Sequence, residues 1–223
     1  MTHFMIKRRV FIKLIKRFLP EQLIKILRGI KLQRQSANMK ARGFATLSEL
    51  LKTTNKDQTK VFCVFGTLLG LHREGNLIEH DYDIDIACYS ENLIEVLDVL
   101  KILGAKFTHR FTSETNPDFG EYSFLLNGIR FDLFIFHRDN EVVFCTDYVE
   151  KDNTFMERQL VFPTFELENV IINGFQFCLP SDPSVFLAQR YGANYMQPDP
   201  SFDYRADAPC IRRTPSRGRI TFL

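Results

Sequence analysis

Residues 61–87 read VFCVFGTLLGLHREGNLIEHDYDIDIA, and the two ends of this stretch decide the fold. At its front, Val61, Phe62, Cys63, Val64 and Phe65 form a short continuous apolar run, as a buried strand does. Gly66 closes the run, and Thr67 to His72 reads as the start of a helix. At its back, Asp81, Asp83 and Asp85 alternate with Tyr82, Ile84 and Ile86. Strand side chains repeat every two residues, so the acids share one face while Ile84 and Ile86 pack into a core. Aspartate is a poor strand former, and like charges this close are costly unless a cation neutralises them. Hard carboxylate oxygens suit Mg²⁺ or Mn²⁺. The plain alternative is an acidic surface strand or loop.

A second acid strengthens the metal reading. Arg130 to Phe136 is an apolar strand with Asp132 inside it. A carboxylate among Phe and Ile is expensive to bury unless it is paired or on a metal. A salt bridge from Asp132 to a buried arginine would serve equally for one acid in isolation. Taken with Asp83 and Asp85, a three-carboxylate cluster is the economical explanation. Between the two features, strand–Gly66–Thr67–helix can hold a phosphate on backbone N–H groups, with Gly66 allowing close approach. Arg73 lies one or two turns on, where it either contacts phosphate or caps the helix end.

Working outward, Thr46-x-x-Glu49 is a capping-box pattern that predicts a helix start near Thr46. Ser90 is placed to cap a helix carrying Leu93, Ile94, Leu97 and Leu100, with Gly104 as its stop. Lys106–Phe111, Tyr122–Leu126 and Ile129–Phe136 are strand-like. Asn127-Gly128 and Asn173-Gly174 predict tight hairpins, the second flanked by 170–172 and 175–178. Asp182-Pro183 opens a helix that should end at Gly192. Residues 33–45 are polar and read as a linker. Residues 198–223 hold four of the nine prolines and read as an irregular tail. The expected class is α+β with a mixed sheet flanked by helices.

Charge is distributed unevenly. Residues 1–42 carry 12 Lys or Arg against the single acid Glu21, leaving 17 basic and 26 acidic residues elsewhere. Ile6, Val10, Phe11, Leu14, Ile15 and Phe18 recur at helical spacing, Pro20 interrupts, and Leu23, Ile24, Ile26, Leu27 and Ile30 continue. Either this arm lies on an anionic membrane surface with its bases on headgroups, or it packs on the body with a solvated basic face. A nucleic-acid arm lacks the aromatic interleaving and motif such binding uses. The five cysteines are scattered without a C-x-x-C pair, which fits a reducing compartment better than a disulfide framework or zinc site. His72, His80, His109 and His137 have no ligand spacing with them.

In order, then, come Gly-Thr, an acid-alternating strand and a lone strand aspartate. That order resembles the nucleotidyltransferase superfamily, and the fuller stretch from Phe65 to Ile86 resembles the LicD/fukutin family more closely. Gly66, Thr67, Leu68, Leu69, Gly70, Arg73, Gly75, Asp81, Asp83 and Asp85 carry the resemblance, with Asp132 as the later acid. Arg190-Tyr191-Gly192, with Tyr195 and Pro198, resembles the family's following Tyr-Gly element. The likeness spans about residues 46–200. Glu79-His80 stands where the family often has Pro-Trp.

The resemblance implies a nucleotidyltransferase-like fold in a catalytic domain at 43–200, between a basic helical extension at 1–42 and a tail at 201–223. It implies transfer of phosphocholine or a polyol phosphate from a CDP-activated donor to a hydroxyl of a surface glycan or glycolipid. Asp83, Asp85 and Asp132 would hold Mg²⁺ or Mn²⁺ and act in catalysis, with Gly66, Thr67, Arg73 and Asp81 on the phosphate or nucleotide. Competing readings are a nucleotidyltransferase acting on a small molecule, and a non-catalytic protein of the same fold on a membrane surface or nucleic acid. With neither a signal peptide nor an apolar run long enough to span a bilayer, the expected place is the cytoplasm, peripheral on the inner face of the membrane.

Overall fold

The structure is a computed structural model and describes residues 21–56, 60–152 and 154–223. The amphipathic segment at 5–19 and Pro20 lie outside the described residues. The first described element is helix α1 (Glu21–Thr54), a single helix of 34 residues. It overturns the expected linker at 33–45 and the expected start at Thr46, and the boundary drawn at 42/43 falls inside it. The segment is polar because much of that face is solvated, while its Gln, Ala, Met and Lys residues are all sound helix formers. The C-terminal half is anchored by buried Met39, Leu47, Leu50 and Leu51.

Strand β1 (Val61–Cys63) is followed at once by α2 (Phe65–Glu74), then β2 (Asp83–Tyr89). A short 3-10 turn (Ser90–Asn92) leads into α3 (Leu93–Ile102). Strands β3 (Lys106–Ser113), β4 (Gly120–Leu126), β5 (Ile129–Asp139), β6 (Val142–Lys151) and β7 (Thr154–Pro163) follow. The hairpin β8 (Leu167–Ile172) and β9 (Phe175–Pro180) forms a separate small sheet. Helix α4 (Pro183–Tyr191) and strand β10 (Ile211–Phe222) complete the described chain.

The two Asn-Gly sites are the turns the sequence predicts. Asn127 and Gly128 have φ of 51° and 78°, and Asn173 and Gly174 have 52° and 79°. Left-handed values at both central positions give the turn whose twist matches paired strands. Helix α4 starts where Asp182 accepts a hydrogen bond from the Val185 N–H at 3.1 Å, and it stops at Gly192.

The large sheet is closed. In order β5-β4-β3-β10-β7-β6, with β6 returning to β5 through His137↔Phe144, six strands form a barrel. Strand β2 runs parallel to the first part of β5, and β1 pairs antiparallel with β2, so these two extend the sheet beyond the barrel. The α+β class stands. The expected mixed sheet flanked by helices is instead closed into a barrel, and the tail at 201–223 is irregular only up to residue 210, because β10 pairs with both β3 and β7. Closure is possible because β5 is 11 residues long: seven of them lie along β2, and the last three bend onto β6. In β10, Pro215 sits where the register shifts between Arg213 and Arg217, so the missing N–H costs no ladder bond. Tyr148 of β6 reaches across to Gly218 of β10, a strand it does not pair with, and stacks on Phe111 of β3 at 5.4 Å. Outside the barrel, Phe62, Phe65, Phe136, Phe162 and Phe186 pack α2 and α4 against the sheet, the last two stacked at 4.1 Å.

Candidate active site

The site forms where the β1–β2 extension joins the barrel. In the parallel register of β2 and β5, Asp85 lies opposite Asp132, and Asp83 lies opposite Arg130. Ile84 and Ile86 point the other way and are fully buried. The predicted alternation therefore holds for Asp83 and Asp85. Asp81 precedes the strand, yet its carboxylate lines the same cavity, of about 650 Å³. That cavity is also bounded by Gly66, Glu121, Arg130, Asp132, Asp147, Arg158, Arg190 and Arg205.

Gly66 and Thr67 have a different local task from the one expected. The Gly66 N–H donates to the Asp85 carboxylate at 3.1 Å, and the buried Thr67 hydroxyl accepts the Asp85 backbone N–H at 2.8 Å. They fix Asp85, and the Gly66 N–H is committed to that carboxylate in this arrangement. A Cβ at 66 would crowd the carboxylates, standing 3.0 Å from that of Asp81 and 3.3 Å from that of Asp85, so a larger residue would displace them. The turn itself is made by Phe65, whose φ is 46°. Arg73 is not brought to the site. It lies in the last turn of α2, bonds Glu74 through Nε at 3.0 Å, and does not line the cavity. A residue eight positions along a helix from Phe65 stands about 12 Å up its axis.

Burial and mutual repulsion dominate the electrostatics. Burial, with Asp132 next to it and against the pull of Arg130, pushes the Asp83 carboxyl up to about 6. Burial, then Asp83, Asp132 and Asp81, push Asp85 well above the carboxylate range despite the Gly66 N–H. Burial also raises Asp81. Glu121 is raised well above its range by burial and by Asp132 and Asp147. Asp132 accepts hydrogen bonds from the Ser123 hydroxyl and from Arg130, whose Nη2 is 2.7 Å away. The same guanidinium stands 3.8 Å from Asp83.

This donor set suits a hard divalent cation in its chemistry, three carboxylates on neighbouring strands lining one cavity and repelling each other. Among the described residues, no three such groups are drawn together into a ready cage. Arg130 supplies the countercharge instead, which realises the arginine pairing of Asp132 that the sequence left open.

Sequence reading missed Glu121, Asp147, Arg130, Arg158 and Arg205. Arg158 is buried and makes a two-pronged pair with Asp147, Nε donating at 2.9 Å, and also donates to the Arg205 carbonyl. No sequence signal singled these out: Arg158 stands between Glu157 and Gln159, and Arg205 lies in a turn.

The family profile described as "LicD/FKTN/FKRP, nucleotidyltransferase domain" matches residues 58–182, more than half of the chain. The chain belongs to the LicD family. Membership makes it a transferase with a nucleotidyltransferase domain, and the matched span contains Asp81, Asp83, Asp85 and Asp132. No curated protein matches the sequence. Among solved structures, the LicD chain is similar to "Crystal Structure of ANT(2")-Ia in complex with adenylyl-2"-tobramycin" (TM-score 0.44, 14% identity, covering 73% of this chain and 82% of that one). It is also similar to the solution structure of the antibiotic-resistance factor ANT(2'')-Ia (TM-score 0.45, 13% identity, 76% and 81%).

Proposed function

We propose that this LicD-family chain transfers phosphocholine or a polyol phosphate from a CDP-activated donor to a hydroxyl of a cell-surface glycan or glycolipid. The observation that carries the reading is the parallel register that sets Asp85 beside Asp132, with Asp83 one step along, facing a single cavity. Asp83, Asp85 and Asp132 would hold Mg²⁺ or Mn²⁺ there, once Arg130 turns outward. Its side chain is 37% exposed, which leaves it room to do so. When bound, the cation supplies charge neutralisation at the diphosphate and fixes its orientation for in-line displacement.

The residues of the chain do the rest. The acceptor oxygen attacks the β-phosphorus, the bond from that phosphorus to the bridging oxygen breaks, and CMP leaves. Asp132 takes the proton of the attacking hydroxyl. Gly66 and Thr67 act one step back by fixing Asp85, and Asp81 closes the same wall of the cavity.

The basic extension supports a lipid-linked acceptor. Leu23, Ile26 and Ile30 are exposed on one side of α1 at helical spacing. No helix among the described residues is long and apolar enough to cross a membrane. The proposal places a cytoplasmic enzyme peripherally on the inner face, apolar side in the lipid and bases on anionic headgroups, and the exposed side of α1 supports it.

The test is CMP release by the purified chain with Mg²⁺ or Mn²⁺, offered CDP-choline, CDP-ribitol and CDP-glycerol in turn, with and without a glycan acceptor. One donor should turn over, and Asp132→Asn should abolish it while the melting curve persists. Failure of all three donors rejects the donor class.

A further inference from the structure

Two arginines that line the cavity, Arg130 and Arg158, are paired with carboxylates. Arg190 is different. It is 5% exposed, in the last turn of α4, and lines the same cavity. Its Nε has no hydrogen-bond partner, and Nη1 reaches only the Cys210 sulfur at 4.0 Å, a weak acceptor. No carboxylate of the described residues is within salt-bridge distance of it. The guanidinium carbon lies over aromatic rings instead, 4.7 Å from the Phe65 centroid and 5.2 Å from that of Tyr204.

Arginine does not deprotonate in proteins, so burial cannot neutralise it as it neutralises a lysine. The aromatic contacts stabilise the cation without giving Nε an acceptor. A buried, permanent charge with an unpartnered Nε and a weakly held Nη1 beside an open cavity is matched by a tetrahedral oxyanion, which a guanidinium binds through two parallel N–H···O bonds. The cavity thus has a carboxylate wall from β2 and β5 and, at the end of α4, an uncompensated cation.

We propose that Arg190 is a phosphate-binding residue that takes the phosphate or diphosphate of the substrate. The assignment rests on the reading of this cavity as the site of a phosphorylated donor. It explains why an arginine occupies a position whose helical neighbours Phe186 and Leu187 are core residues. It also transfers to α4 the anion-binding task that Arg73 is too distant to perform.

The experiment is calorimetric titration of the full chain with inorganic pyrophosphate, CDP and cytidine, in EDTA and again in Mg²⁺. Arg190→Met keeps the volume and the apolar contacts, and Arg190→Lys keeps the charge but not the fork. The wild-type chain should bind pyrophosphate and CDP but not cytidine. Arg190→Met should weaken both at least tenfold in either condition, with Arg190→Lys in between. Melting of Arg190→Met should be unchanged or higher, since it removes an uncompensated charge. Wild-type-like affinity in both variants overturns the proposal. So does a wild-type chain that binds neither anion, and so does a lowered melting temperature with unchanged affinity, which marks a structural cation. If no CDP donor turns over yet pyrophosphate binding depends on Arg190, the transfer reaction is wrong and this assignment stands. If CMP is released and Arg190→Met alters neither KM nor kcat, the assignment falls and the reaction stands.

Discussion

Asp83→Asn should stabilise the chain without metal at neutral pH and leave it unchanged in acid. Burial and the neighbouring Asp132 raise the Asp83 carboxyl from 3.8 to about 6, so its ionised form is disfavoured in the fold. A raised carboxyl pKa contributes stability that is full below about pH 3.8 and is lost as pH rises through about 6. At about 1.4 kcal/mol per pKa unit, a rise of that size makes ionised Asp83 a burden of roughly 3 kcal/mol above pH 7. Asparagine removes the titration, and Arg130 keeps its 2.7 Å contact with Asp132. For a chain of this length the unfolding entropy is about 0.5 kcal/mol per kelvin, so the melting temperature should rise by about 6 °C at pH 7.5 in EDTA. The difference between variant and wild type should shrink towards zero by pH 4. Millimolar Mg²⁺ or Mn²⁺ should raise the wild type, whose carboxylates it neutralises, and leave the variant near its EDTA value. Thermal melts by circular dichroism across pH 4–8 read all of this. A variant that melts at or below wild type at pH 7.5, or a difference independent of pH, would refute the claim that crowded carboxylates are held at a cost.

Thr67→Val keeps the shape of the side chain but leaves the buried Asp85 N–H without its acceptor. It should cost about 1–3 kcal/mol in urea titration and lower kcat more than KM. Gly218→Ala drives a Cβ into the Tyr148 ring, and overpacking should destabilise by about 1–3 kcal/mol, read by the urea midpoint. Arg73→Ala should leave kcat/KM within about twofold, because Arg73 pairs with Glu74 away from the cavity; a loss of a hundredfold would restore the role that its place in the sequence suggested. Replacing Leu23, Ile26 and Ile30 together by Ser should reduce sedimentation with anionic vesicles at least tenfold, given about 1.5 kcal/mol or more for each apolar side chain withdrawn from lipid. Equal sedimentation would assign these residues to something other than a membrane.

The part of the fold that was legible in the sequence is the part governed by local rules. Tyr122–Leu126 and Ile129–Phe136 announced a hairpin through Asn127-Gly128, and Asp83 to Ala87 announced a strand through alternation. The carboxylate group was found from the unusual aspartates on both strands, while their parallel register, Asp85 beside Asp132, is shown only by the structure. Barrel closure was not legible, because it depends on β10 pairing with β3 and β7 far along the chain, pairings that no short window contains. Strand β10 is largely exposed and carries Arg212, Arg213, Pro215, Arg217 and Arg219, so it has no apolar period to read. The polar run at 33–45 suggested a linker for the same reason: an exposed regular element imitates an irregular one. Arg190 was visible as part of Arg190-Tyr191-Gly192, but its chemistry depends on the absence of a partner, and absence of a partner is a tertiary fact.

Phe65 connects the core to the chemistry. A bulky residue at φ of 46° sits in a region that costs on the order of 1–3 kcal/mol and persists only where its surroundings hold it. Its ring is held on several sides, edge-on to Phe134 at 4.7 Å, near Phe162 and Phe186, and under the Arg190 guanidinium. Full burial of such a ring contributes about 1.5–3 kcal/mol, enough to offset the strained backbone. Because the chain turns at Phe65, the next N–H, that of Gly66, points at Asp85 instead of continuing a strand ladder. The aromatic core therefore does more than stabilise. It fixes the turn that positions one carboxylate and supplies the face on which the unpaired arginine lies, so both poles of the cavity depend on the same ring.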